Sequence, residues 1–96
     1  MNKIHHIALQ FDNVKSALGW NQKQFDIDVI YQVATWAMLK FENISLAVVI
    51  AGQHPPHLAV QYEDAEKYGD LTPHHDGAAS IYIDEPFGYV IEIIKT

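Results

Sequence analysis

Cysteine is absent from the 96-residue sequence. Its absence removes disulfides, thiolate metal sites and thiol nucleophiles together. Positive charge is scarce: six Lys and Arg stand against twelve Asp and Glu, for a formal net charge of −6. With no basic cluster to hold phosphates, nucleic acid is not an expected partner, and a neutral or cationic small molecule suits the chain better. No apolar run approaches the ~20 residues of a membrane-spanning helix, and no charged-then-apolar segment follows Met1. The expectation is therefore a cytoplasmic protein with no membrane partner. A Gly-rich phosphate loop, a G-x-S-x-G elbow and an H-E-x-x-H helix are all missing, so their chemistries have no support.

What is present is a globular composition with 49% hydrophobic residues, enough for one domain with a core of its own. Six histidines equal the Lys and Arg together. Imidazole binds metals and moves protons near neutral pH, which makes the placement of these residues informative.

Lys3 to Phe11 alternates as a strand, with His5, Ile7, Leu9 and Phe11 on one face and Ile4, His6, Ala8 and Gln10 on the other. Asp12-Asn13 is a helix start, and Val14, Ala17, Leu18, Asn21 and Phe25 recur at helical spacing to about Gln24. Gly19 weakens that helix, and a close strand or helix contact is the expected reason for it. Strands are predicted over 28–32, 35–41 and 44–50, the last two joined by a turn at Glu42-Asn43. Residues 52–56, ending in Pro55-Pro56, read as a linker. Next come a strand over 57–62, a short helix over 63–68 ended by Gly69, and a short strand over 71–75. The chain closes on a hairpin from Ser80 to Ile94 that turns at Pro86-Phe87-Gly88. In its second strand Glu92 sits between Ile91 and Ile93 and points away from them. If that face is buried, the carboxylate needs a partner or is forced neutral.

The two halves echo each other. His6-Ile7-Ala8-Leu9-Gln10-Phe11-Asp12 and His57-Leu58-Ala59-Val60-Gln61-Tyr62-Glu63 both read His-apolar-Ala-apolar-Gln-aromatic-acid, and the element order repeats behind each. The pattern points to an internal duplication. A first module of about 1–51 and a second of about 57–96 would then make a single domain.

At these residues the sequence resembles the glyoxalase/bleomycin-resistance/dioxygenase, or vicinal oxygen chelate, superfamily. Asp84-Glu85-Pro86-Phe87-Gly88-Tyr89-Val90-Ile91-Glu92 is similar to the family's D-x-P-x-G-N-x-apolar-E ending. His6 with the helix start, and His57, resemble its module openings. The resemblance implies an α+β fold of two short βαβββ-type modules, forming a curled, cup-shaped mixed sheet with helices outside. It implies metal ligands at His6, His57 and Glu92, with Glu92 catalytic. A fourth family ligand falls in Ser45-Leu46-Ala47-Val48-Val49, which offers no Glu, Gln or His, and Tyr89 stands where Asn is usual.

Two imidazoles and a carboxylate suit Ni, Zn, Mn or Fe and leave positions open for a substrate. The competing reading leaves the histidines as cleft-lining groups, Glu92 paired with a neighbour and no metal at all. Trp36, Met38, Gln10, Gln61, Tyr82 and His75 are the candidate substrate contacts. Core packing competes for the aromatics, and a solvated loop competes for His74-His75 beside Asp76. Trp20 is expected in the core or at a dimer contact. Three functions remain open: a glyoxalase-like lyase or isomerase acting on a vicinal oxygen compound, a metal-free protein sequestering a drug or metabolite, and an extradiol-dioxygenase-like oxygenase. A homodimer is expected.

Overall fold

The computed structural model describes residues 1–96. In chain order the elements are β1 (Lys3–Phe11), α1 (Val14–Gln24), β2 (Asp28–Gln32), β3 (Trp36–Lys40), β4 (Ser45–Ile50), β5 (His57–Gln61), a 3-10 helix (Ala65–Tyr68), β6 (Thr72–Pro73), β7 (Ala79–Asp84) and β8 (Val90–Lys95). The fold is α+β, with mixed sheet in the strand order β2-β3-β4-β1 in one half and β5-β8-β7-β6 in the other. No helix is long and apolar enough to cross a membrane. Two compact units are present: His6–Pro56, and Met1–His5 with His57–Thr96.

In the unit His6–Pro56, β1 pairs parallel with β4, β4 antiparallel with β3, and β3 antiparallel with β2. Helix α1 starts where the sequence places it, because the Asn13 side chain accepts the Ser16 backbone N–H at 2.8 Å. Its Val14, Ala17 and Leu18 pack on Ala37, Leu39 and Val48. Leu39 and Val48 lose all contact with water, each contributing roughly 1.5–3 kcal/mol of burial. The opposite face of the strands carries Ala8, Ala47 and Val49, with Trp36 and Met38 packed against them. Gly19 has open space where a Cβ would stand. The expected close contact at Gly19 is therefore absent.

A register shift in β2 lies between Val29 and Tyr31. Val29 pairs with Leu39 on the helix side, while Tyr31 pairs with Met38 on the other. An extra residue in one strand reverses the facing of the residues beyond it. The Tyr31 ring thereby meets Trp36, with centroids 4.5 Å apart.

In the other unit, β5 pairs parallel with β8, β8 antiparallel with β7, and β7 antiparallel with β6. This wiring repeats that of the first unit strand for strand. The expected helix over 63–68 is a 3-10 turn, with no side-chain cap at Asp64. The expected strand over 71–75 shrinks to Thr72–Pro73, since proline has no N–H to extend a ladder. The closing hairpin turns through Gly88 at φ +95°, a left-handed conformation that glycine adopts without penalty.

Candidate metal and ligand site

Residue 92 is where the second unit departs from an ordinary apolar sheet. On β8, Val90, Glu92 and Ile94 share a face; in register beside them stand His57 and Ala59 of β5, and Ser80 and Tyr82 of β7. Glu92 is 1% exposed. Taking a carboxylate that far from water costs several kcal/mol unless partners replace the solvent.

The partners are present. Ser80 donates its hydroxyl to Glu92 Oε2 at 2.6 Å. His57 Nε2 lies 3.1 Å from Glu92 Oε1. His74 Nε2 lies 2.7 Å from Ser80 Oγ and 3.6 Å from Glu92 Oε2. His57 and Ser80 are themselves buried, and no buried side-chain nitrogen or oxygen goes without a partner. Tyr82 sets its ring edge-on to His57, centroids 5.1 Å apart. Burial, then the charge of Glu92, pushes the Tyr82 phenol up to about 12. At neutral pH it is therefore a hydroxyl and a donor.

His6, the third expected ligand, stands directly after His5 in β1 and is buried. It shares the face of Ala8, the one that carries Trp36 and Met38. In the second unit His57 and Glu92 form a buried pair 3.1 Å apart, and His6 is the buried imidazole at the matching strand opening of the first. Two imidazoles and one carboxylate form a donor set for a divalent first-row ion, so the residues present fit such a metal.

The duplicated wiring shows where a fourth donor would stand. His57 pairs with Val90 and Ala59 with Glu92; in the first unit His6 pairs with Ser45 and Ala8 with Ala47. Ala47 therefore occupies the position of Glu92. By the same register Met38 matches Tyr82 and Trp36 matches Ser80. The second unit carries Ser, Tyr and Glu where the first carries Trp, Met and Ala.

The other expected contacts are dispersed. Trp36 and Met38 lie together on the face opposite the helix, with Tyr31, which the sequence did not single out. Gln10 donates to the His54 carbonyl at 2.7 Å, and Gln61 donates to the Thr96 hydroxyl at 3.0 Å, both at exposed strand ends. His75 is exposed in the turn, and the ring reaching Ser80 and Glu92 belongs to His74. Trp20 is 58% exposed and packs edge-on to Phe25. In the sequence Ser80 stands out only as the start of the closing hairpin.

No family profile matches the sequence, and no curated protein does. Among solved structures, a glyoxalase/bleomycin resistance protein/dioxygenase superfamily member from Vibrio splendidus 12B01 has a TM-score of 0.71 at 9% identity, covering 100% of each chain. A hypothetical protein from Bacillus halodurans C-125 has a TM-score of 0.76 at 13% identity, covering 99% of this chain and 94% of the other. A protein named as an NAD-dependent benzaldehyde dehydrogenase from Legionella pneumophila has a TM-score of 0.66 at 14% identity, covering 94% and 96%. At such identities the likeness is one of fold: this chain shares its fold with a protein named as a glyoxalase/bleomycin resistance protein/dioxygenase superfamily member.

Proposed function

We propose that this protein binds a small molecule beside a divalent metal held by His6, His57 and Glu92, and acts as a glyoxalase-like lyase or isomerase on a compound with neighbouring oxygens. The observation that carries this reading is the buried His57–Glu92 pair, 3.1 Å apart, with a third buried imidazole, His6, at the matching strand opening of the other unit. The metal, when bound, supplies Lewis-acid stabilisation of negative charge developing on a substrate oxygen. Glu92 is the group suited to take up a proton, being a carboxylate inside a low-dielectric site. Tyr82 keeps its proton at neutral pH and can donate to a substrate oxygen. Within the first unit Trp36, Met38 and Tyr31 form an apolar face of the kind that suits the carbon skeleton of a small ligand.

A second reading, metal-free sequestration of a drug or metabolite, is favoured by a different observation. Ser80 and His57 already satisfy both oxygens of Glu92, so the second unit is complete in its hydrogen bonds without an ion. An acidic chain with exposed aromatics suits cationic aromatic ligands. Metal content separates the two. Tag-free protein is heated with Ni, Zn, Mn and Fe(II) in turn. An ion at a hundred times its Kd adds about 2.7 kcal/mol, a rise of roughly 10–20 °C in Tm for a domain this small. That rise is expected for the wild type and is lost in Glu92→Gln. If no ion raises Tm, the metal reading fails and sequestration stands.

We also propose a homodimer as the working state. Ile7, Leu9, Trp20 and Phe25 in the first unit are 39%, 45%, 58% and 47% exposed, and apolar groups of that size commonly mark interaction surfaces. Light scattering at micromolar concentration reads the mass, and a strictly monomeric protein overturns this.

A further inference from the structure

We propose that Ser80 and His74 are positioning residues that hold Glu92 so that it offers a single oxygen, Oε1, to the ligand site. The inference rests on the reading of Glu92 as a metal ligand. It adds which oxygen is presented and what fixes it.

The bonding leaves little choice. A serine hydroxyl has one hydrogen to donate. Ser80 uses it on Glu92 Oε2. Its oxygen can then only accept from His74 Nε2, 2.7 Å away, so His74 carries its proton on Nε2. Two donors thus line up toward one carboxylate oxygen: His74 Nε2–H to Ser80 Oγ, and Ser80 O–H to Oε2. With Oε2 engaged, the oxygen left to face His57 is Oε1, at 3.1 Å. Charge-assisted bonds of this kind are short and directional, and they fix the rotation of the carboxylate plane.

His74 is itself held in place. Its backbone N–H donates to the Ala78 carbonyl at 2.7 Å, and the Gly77 N–H returns to the His74 carbonyl at 3.3 Å. Asp76 Oδ1 accepts the Ala78 N–H at 3.0 Å and closes the turn from inside. The turn 74–78 therefore presents the imidazole from a pinned backbone. His74 has a third of its side chain exposed, whereas His57 and Glu92 are buried, so it supports a ligand without being one.

The duplication supplies an internal control. Where the second unit has Glu92, the first has Ala47, and where the second has Ser80, the first has Trp36. In the unit without the carboxylate the hydroxyl is absent too.

The test compares wild type with Ser80→Ala, Ser80→Thr, His74→Ala and His74→Gln. Serine to alanine leaves a cavity no larger than the lost oxygen, and His74, with 34% of its side chain exposed, finds water instead. Affinity for Zn, read by calorimetry, is expected to fall about 10- to 100-fold in Ser80→Ala and in His74→Ala, the usual effect of losing an outer-shell partner. The hydroxyl kept in Ser80→Thr and the side-chain N–H kept in His74→Gln are expected to restore most of it. Metal-free crystals of Ser80→Ala are expected to show the Glu92 carboxylate rotated and its contact with His57 lengthened. If wild type binds Zn and both alanine variants bind it equally well, the positioning role is overturned. If wild type binds no metal, the functional reading fails instead, and the crystals still decide: an unmoved carboxylate in Ser80→Ala overturns the positioning role.

Discussion

Tyr82 is a side chain whose acidity the fold lowers. Its phenol is pushed up to about 12, first by desolvation and then by the charge of Glu92. An unfolded tyrosine ionises near 10. Below about pH 10 both states hold the proton and stability is unaffected. Between about 10 and 12 the unfolded chain loses its proton while the folded one keeps it, so stability falls as pH rises. Tyrosinate absorbance is expected to show one of the five tyrosines titrating late. Tyr82→Phe is expected to remove that late step and to flatten the decline of Tm above about pH 10; a wild-type titration with no late tyrosine refutes the placement. At this scale the sequence was informative about facing and silent about partners. The position of Glu92 between Ile91 and Ile93 gave its direction, because strand side chains alternate. Which groups would meet it depended on the register of β7 and on a turn 18 residues earlier, at His74. Neither is encoded locally.

Elements with local punctuation were legible. Helix α1 occupies Val14–Gln24 with its cap at Asn13, since a capping side chain and an apolar stripe are both written within a few residues. The hairpins around Glu42-Asn43 and Pro86-Phe87-Gly88 were legible for the same reason. The register shift at Ile30 was not, and with it went the facing of Tyr31. Nothing in Asp28-Val29-Ile30-Tyr31-Gln32 marks an extra residue, because a bulge is set by the partner strand. Gly19 is the opposite case, a local anomaly with no packing reason within the chain. A Cβ there would meet nothing within 4 Å, so the glycine only weakens the helix. Gly19→Ala is expected to stabilise the protein by up to ~1 kcal/mol, a rise of roughly 4–8 °C in Tm. A fall in Tm would mean that position 19 has a contact beyond this chain, as a dimer interface near Trp20 would provide.

For the whole molecule the governing feature is the repeat of one wiring with two different linings. Each unit pairs its first strand parallel to its fourth and stacks its third and second strands outward from there. The echo between His6–Asp12 and His57–Glu63 announced this, because duplicated strands keep their alternation long after other positions drift. The divergence of the linings was legible at Ala47 as a missing donor. That Trp36 stands where the second unit has Ser80 emerged only from the register. A carboxylate at position 47 tests whether the two linings serve one centre. Ala47 is packed among Ala8, Val49, Trp36 and Met38, where a carboxylate has no Ser80 to receive it. Ala47→Glu is therefore expected to cost the metal-free protein on the order of a few kcal/mol, read as a lower Tm that partly recovers as acid neutralises the new group. Added Zn is expected to raise the Tm of this variant by more than it raises that of wild type, since a fourth donor adds to the affinity. An equal or smaller rise would show that position 47 does not face the metal, and that the symmetry of the wiring stops short of the site.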